Sequence, residues 1–443
     1  MACALLGLPA RFTRHKGARD MQTSEDFDRG DSVTPSSPVV VPVREHHRVL
    51  IIGGGTAGIS VAARLARAGQ KGVAVLEPSQ HHYYQPLWTL VGAGEARIED
   101  TVRNESRLIP HGVKWVRDAA TEIDPEAREV LTRGGLRLGY DFLVVAPGIQ
   151  LDWDKVAGLR EALKTPHVSS NYDVQLAPKT WRLLQNFQGG TALFTQPSTP
   201  VKCAGAPQKI MYLAADHFRR TGVMERTSVV FGSGAKTIFG VKPFASVLEG
   251  VVHRYGITPR FQHNLIAVDG ERREATFEAT RDGQTERITL AYDMLHVTPP
   301  QSAPDFVKRS PLSWREGPNA GWVKADKYTL QHPDHPNVFA LGDASDLPTS
   351  RTGAAIRKQA PVLVENLLAC MKDLPLPARY DGYASCPLTT GYGRLLLAEF
   401  DYDGKPTPTI PFIDTMQERR DMWLLKKYGL PRLYWAFMMR GLA

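Results

Sequence analysis

The chain has 443 residues, 42% of them hydrophobic and 23% charged, with 54 basic against 46 acidic side chains and a net charge of +8. That is material for two or three domains with apolar cores, and it excludes a disordered chain, a coiled coil and a disulfide-stapled miniprotein. No run of about 20 apolar residues is present to span a bilayer, and the mild positive excess suits an anionic ligand or lipid surface better than a nucleic acid.

Residues 1–46 read as an extension. Arg11, Arg14, Lys16 and Arg19 come first, then the acidic Glu25, Asp26, Asp28 and Asp31. The start resembles a mitochondrial presequence weakly, and a disordered tail, or an upstream start with Met21 the true first residue, reads equally well. Residues 32–42, with Pro35, Pro38 and Pro42, read as an extended linker. Order is expected from Arg48.

Residues 48–52 form a short apolar run, followed at once by Gly53-Gly54-Gly55-Thr56-Ala57-Gly58. A small amphipathic helix is expected over 56–68 and a strand over 73–76, ending in Glu77. Gly53, Gly55 and Gly58 are in register for a GxGxxG dinucleotide turn. The first glycine permits the tight turn, the second lets backbone approach a pyrophosphate, and the third lets helix pack close on strand. The helix N-terminus then offers its free N–H groups to the phosphates. Glu77 follows Gly58 by 19 residues at a strand end, which suits ribose hydroxyls and hence FAD or NAD. Further strands are expected over 142–145, 191–195, 228–231, 294–298 and 338–341, with helices over 206–219 and 357–370. Alternation of this kind argues an α/β fold with parallel sheets.

Two segments favour FAD. Residues 140–148, ending Ala146-Pro147-Gly148, resemble the strand and turn that two-dinucleotide flavoproteins place beside it. Residues 337–343, ending Gly342-Asp343, resemble their second FAD motif. A second glycine turn, Gly232-Ser233-Gly234, has Thr237 where its third glycine belongs. Residues 258–264 carry no acid for a ribose. The expected architecture is therefore two Rossmann-like domains. The FAD domain is discontinuous over 47–160 and 325–372. The degenerate one spans 161–324 and binds no NAD(P)H productively. Residues 373–443 form a C-terminal segment. Its last 28 residues interleave Trp423, Tyr428, Tyr434, Trp435 and Phe437 with Arg and Lys, and Gly429 and Pro431 are expected to split them into two short helices. Such a pattern suits an amphipathic segment lying on a membrane.

Four cysteines occur, none in a CxxC. Cys203 precedes a helical pattern, with Lys202 and Lys209 close, and both features favour a thiolate. Cys386 lies 183 residues further on. Spacing alone reads most simply as two separate buried thiols. Cys370 reads as core packing, and Cys3 has no assigned role. His81 and His82 read as structural or cofactor-adjacent and not as metal ligands, because no HxxE or HxH companion follows. His296 reads as a core histidine.

Four segments change the reading of the cysteines: Glu77-Pro78 with 84–94, then 199–212 around Cys203, 295–300, and 385–392 around Cys386. Through them the chain resembles the sulfide:quinone oxidoreductases, of the branch that includes the mitochondrial enzymes, over residues 48–440. The resemblance implies FAD held by Gly53, Gly55, Thr56, Ala57, Gly58, Glu77, Gln85, Ala146, Gly148 and Asp343. It implies a catalytic disulfide or sulfur-bridged pair, Cys203 and Cys386. Hydrogen sulfide attacks on the Cys386 side, Cys203 is released toward the flavin, and sulfane sulfur passes to a small thiol or sulfite. Two electrons pass through FAD to a ubiquinone-type quinone. The same resemblance puts Lys209 and Lys426 at the acceptor entrance. Tyr392, Phe400, Trp423 and Phe437 are quinone candidates. A peripheral location is expected, on a bacterial inner membrane by preference and a mitochondrial one as the alternative. A type II NADH:quinone reductase would need the second glycine motif intact and neither cysteine. A flavin-bound scaffold would leave the cysteines inert.

Overall fold

The computed structural model describes residues 44–281 and 283–443. The readings of residues 1–43, Cys3 among them, lie outside the described residues.

Strand Arg44–Ile52 is central to the first sheet and begins four residues earlier than expected. Its first residues are charged, but their backbone pairs parallel with Arg137–Val145, and Lys114 and Arg44 neutralise Glu45 and Glu129 at that end. Strand Val73–Leu76 pairs on the other side, and Lys114–Val116 pairs with it in turn. Strand Val338–Ala340, remote in sequence, pairs parallel with Leu143–Val145. Side chains alternate along Arg44–Ile52. Val49 and Ile51 pack under helices Thr56–Arg67 and Gly353–Cys370, while Leu50 and Ile52 pack on the other face with Val307 and Trp322. A strand buried on both faces reads as a continuous apolar run, as residues 49–52 do.

Strands Glu129–Thr132 and Ala120–Asp124 extend the first sheet antiparallel beyond Arg137–Val145, whereas the second sheet is parallel throughout. Its order is Val168–Ser169, Met294–His296, Gly190–Gln196, Thr227–Ser233 and Thr258–Phe261. Beside it lies an antiparallel layer, His263–Asp269, Glu274–Arg281 and Gln284–Ala291, which the sequence reading did not anticipate. A further hairpin, Ala384–Gly391 with Arg394–Phe400, packs on helix Ala206–Arg220 and on Gly353–Cys370. This packing carries Cys386 to the other cysteine.

The C-terminal helices are not split as expected. Arg420–Leu424 runs through a π-turn at Leu425–Gly429 into Leu430–Ala436. Gly429 stays right-handed helical, and Pro431 follows directly on the π-turn as the second residue of Leu430–Ala436. Arg254 grips Glu418 with both terminal guanidinium nitrogens and ties this segment to helix Lys242–Tyr255.

Candidate active site

The glycine turn is built for a dinucleotide. Gly53 has φ +100, and a Cβ there would strike the Ala146 carbonyl. A Cβ on Gly58 would strike the Gly53 carbonyl, whereas one on Gly55 would meet nothing within 4 Å. The first and third glycines are therefore needed by the protein itself, and the second faces open space of the kind a pyrophosphate fills. Glu77 accepts from Gly54 N and Ser79 N, each at 2.7 Å, and burial raises its pKa. Ala146 closes the turn from the neighbouring strand, and Gly148 follows it at φ +77. Asp343 is half-buried, and desolvation raises its pKa against the opposing pull of Lys202 and Arg351. Gln85, by contrast, is exposed.

Cys203 and Cys386 meet at the base of helix Ala206–Arg220. Both are free thiols, and each shifts the other through a hydrogen bond between them. Cys203 adopts φ +56, a left-handed conformation rare for a residue with a Cβ. Its N–H donates to Arg351 O at 2.8 Å and its carbonyl accepts from Ala206 N at 2.7 Å, which together hold that conformation. Lys209, one turn into the helix, donates to Cys203 Sγ at 3.0 Å. The hydrogen bond from Cys386, with Lys209 and Lys426 nearby, draws the Cys203 pKa well below that of an ordinary thiol, against burial. Cys386 is driven well up by its bond to Cys203, by burial and by the Cys203 charge. Ser350 Oγ lies 3.6 Å from Cys386 Sγ. A Cβ on Gly205 would strike Leu388, so this glycine lets the hairpin close on the helix.

Lys209 and Lys426 are not solvated surface charges: each is only 3% exposed. Lys426 Nζ donates to Pro86 O at 3.1 Å. Burial and the like charge of Lys209 push its pKa down to about 7, while the two cysteines pull the other way. Tyr172, which sequence reasoning missed, lies beside Lys202, next to Cys203. Lys202 stands over the Tyr172 ring at 5.9 Å, and burial pushes its pKa down to about 8 against the pull of Asp343. Tyr172 is enclosed, and its phenol is driven up by burial and by the neighbouring Cys203 charge. Only the adjacency of Lys202 to Cys203 signalled this side.

The quinone candidates do not form one cluster. Tyr392 and Trp423 are neighbours, with ring centroids 6.4 Å apart, and the Tyr392 hydroxyl donates to Ala93 O at 2.8 Å. Phe400 is core, packed on Phe239 and Phe244. Phe437 is exposed. His296 is buried and stacked on Phe194, and its Nε2 accepts from Asn171 N at 2.9 Å; burial pushes its pKa down to about 3. Cys370 is half-buried, with its thiol 3.4 Å from Pro336 O. His81 is exposed, whereas His82 is buried against the glycine turn, its Nδ1 3.1 Å from Gly54 O.

The second glycine turn departs from a nucleotide site. The helix after strand Thr227–Ser233 does not begin until Lys242. A Cβ on Gly234 would lie 2.5 Å from Ser198 N, so the segment leading to Cys203 packs directly on this turn.

A family profile described as pyridine nucleotide-disulphide oxidoreductase matches residues 47–182. The mitochondrial sulfide:quinone oxidoreductase of Mus musculus is 47% identical over 399 residues, 90% of this chain and 87% of that protein. The mitochondrial protein of the same name from Dictyostelium discoideum is 43% identical over 89% of this chain and 86% of its own length. The solved sulfide:quinone oxidoreductase of Aquifex aeolicus has a TM-score of 0.73 at 19% identity, covering 89% of this chain and 91% of that one. At that identity the likeness shows the fold.

Proposed function

The chain belongs to the sulfide:quinone oxidoreductases, FAD-dependent flavoenzymes, and from that premise we propose how its own residues couple sulfide oxidation to quinone reduction. The observation that carries the proposal is the asymmetry of the cysteine pair: the Lys209 ammonium meets Cys203 Sγ at 3.0 Å, whereas the neutral Ser350 hydroxyl lies 3.6 Å from Cys386 Sγ, so a thiolate is favoured at Cys203. When the two are bridged, HS⁻ attacks the Cys386 sulfur. The sulfur expelled is then the one with the lower pKa, which is the better leaving group. A new S–S bond joins the incoming sulfur to Cys386 as a persulfide. The Cys203–Cys386 bond breaks and its electron pair stays on Cys203, where Lys209 meets the charge at 3.0 Å. A small thiolate or sulfite then takes the outer sulfur and returns Cys386 as thiol. Lys209 makes the approach favourable to an anion, and Lys426 adds its charge below about pH 7, where it is protonated. Re-forming the bridge releases two electrons.

FAD, when bound, supplies the two-electron acceptor between the cysteines and the quinone. Gly53, Gly55, Thr56, Ala57 and Gly58 would hold its pyrophosphate, Glu77 its ribose and Asp343 its ribityl region, with Ala146, Gly148 and Gln85 around them. The late helix start after Gly234 supports a donor other than NAD(P)H, since no helix N-terminus stands at that turn. For the quinone, Tyr392 with Trp423 is the candidate pair; Phe400 is withdrawn because it is committed to the core.

Among the described residues no helix is long and apolar enough to cross a membrane. The last segment nonetheless exposes Leu424, Tyr428, Phe437 and Leu442, with Arg420, Arg432 and Arg440 among them. Apolar side chains with cations between them favour an anionic membrane surface. The relatives that are 38–47% identical are mitochondrial proteins, so the preference for a bacterial membrane finds no support and the mitochondrial inner membrane is the better reading.

Exposure to sulfide without an acceptor, followed by alkylation and peptide mass analysis, tests the scheme. One added sulfur is expected on the peptide carrying Cys386; its appearance on the Cys203 peptide instead overturns the assignment.

A further inference from the structure

The C-terminal helix reaches the dinucleotide turn through a single hydroxyl. Tyr434, buried in Leu430–Ala436, has its hydroxyl 2.8 Å from Thr56 Oγ1 and in contact with His82 Nε2. His82 Nδ1 faces Gly54 O at 3.1 Å and Glu105 Oε2 at 3.2 Å. A carbonyl and a carboxylate both accept, so these partners assign the ring proton to Nδ1. Nε2 then meets the Tyr434 hydroxyl, which also pairs with Thr56 Oγ1. Gly54 is held on both sides of its Cα, its carbonyl by His82 and its N–H by Glu77.

Thr56 is the first residue of the helix whose N-terminus faces the pyrophosphate position. The tail continues along that same helix. Arg64 donates to Ala443 O, and a Cβ on Gly441 would lie 2.9 Å from the Ala63 and Arg64 backbone. The Tyr434 ring is seated on Tyr84 with centroids 4.5 Å apart.

We propose that Tyr434 is a positioning residue for FAD: through Thr56 and His82 it latches the C-terminal helix to the dinucleotide turn, and cofactor retention depends on that latch. The inference rests on the reading that residues 53–58 hold the pyrophosphate. A bond that orders the turn favours FAD, and by linkage FAD favours the docked tail.

Full-length apoprotein is titrated with FAD, following flavin fluorescence, for the wild type and Tyr434→Phe. The phenylalanine keeps the ring packing and removes only the hydroxyl. The expected result is FAD affinity weakened about tenfold, on the scale of the hydrogen bonds lost. A residue that merely stabilised the fold would shift the unfolding midpoints of apo and holo protein equally and leave the affinity unchanged; that result overturns the proposal. Hydrogen exchange of the wild type does not depend on the variant folding. FAD is expected to protect amides at both 53–58 and 430–443. Protection at 53–58 alone overturns the latch and spares the reading of the turn; protection at neither overturns both.

Discussion

Lys209 Nζ stands 3.0 Å from Cys203 Sγ, on the first turn of a helix that begins three residues after the cysteine. The backbone of Cys203 is left-handed, a conformation that costs on the order of 1–3 kcal/mol. A charge-assisted hydrogen bond returns about 1.5–3 kcal/mol. The strain and the bond are of one size, so the contact at the sulfur is large enough to offset a backbone conformation that the bonds to Arg351 O and Ala206 N hold in place.

Replacement of Lys209 by Met removes the donor and the nearest cation. The pH at which Cys203 becomes thiolate is expected to rise by about one unit, equivalent to about 1.4 kcal/mol. The pH dependence of iodoacetamide modification of the reduced protein checks this. Lys209→Arg is expected to retain most of the effect; an unchanged profile in Lys209→Met removes Lys209 from the account.

Lys426 has its pKa lowered from 10.5 to about 7 by burial. Between those values the folded protein holds this group neutral while the unfolded chain keeps it protonated. The unfolded state therefore binds more protons, and this group makes stability rise with pH across the window. Lys426→Met removes that dependence. The variant is expected to be more stable than the wild type near pH 6, with an advantage that shrinks toward pH 10. Urea midpoints at the two pH values test it; a difference constant with pH contradicts it.

Two glycines of one motif are expected to fail differently. Gly58→Ala drives a methyl into the Gly53 carbonyl and destabilises the apoprotein itself. Gly55→Ala meets nothing within 4 Å, so the apoprotein keeps its stability while FAD binding is lost. Thermal unfolding of apoprotein beside FAD titration separates the two. Equal damage to apoprotein stability by both variants contradicts the assignment of Gly55 to the pyrophosphate.

The double variant Phe437→Ser and Leu442→Ser removes apolar surface that is about half exposed at each position. Sedimentation with anionic vesicles is expected to weaken at least about tenfold, since one exposed large side chain transferred from water contributes roughly 1.5–3 kcal/mol. Unchanged sedimentation places the membrane contact elsewhere.

The glycine turn was legible in the sequence because strand, turn, helix and Glu77 are local, and each residue type is demanded by backbone geometry. The meeting of Cys203 and Cys386 was not. It depends on a hairpin over 384–400 closing on helix Ala206–Arg220, a packing event with no local signature, and only the family resemblance supplied it. Arg44 to His46 read as tail because they are polar, yet a parallel ladder needs only their backbone. Gly429 read as a break because glycine so often ends helices, but the chain continues through a π-turn. Tyr434 was invisible among neighbouring aromatics, since nothing nearby in sequence distinguishes a hydroxyl that reaches residue 56 from one that faces solvent.

The central claim is that electrons enter from sulfide through the cysteine pair, and anaerobic stopped-flow absorbance of the FAD-loaded protein tests it most directly. Mixed with sulfide, the flavin absorbance is expected to bleach after a long-wavelength band that Cys203→Ser abolishes, and NADH is expected to give no rapid change. Rapid bleaching by NADH without a response to sulfide would contradict the account.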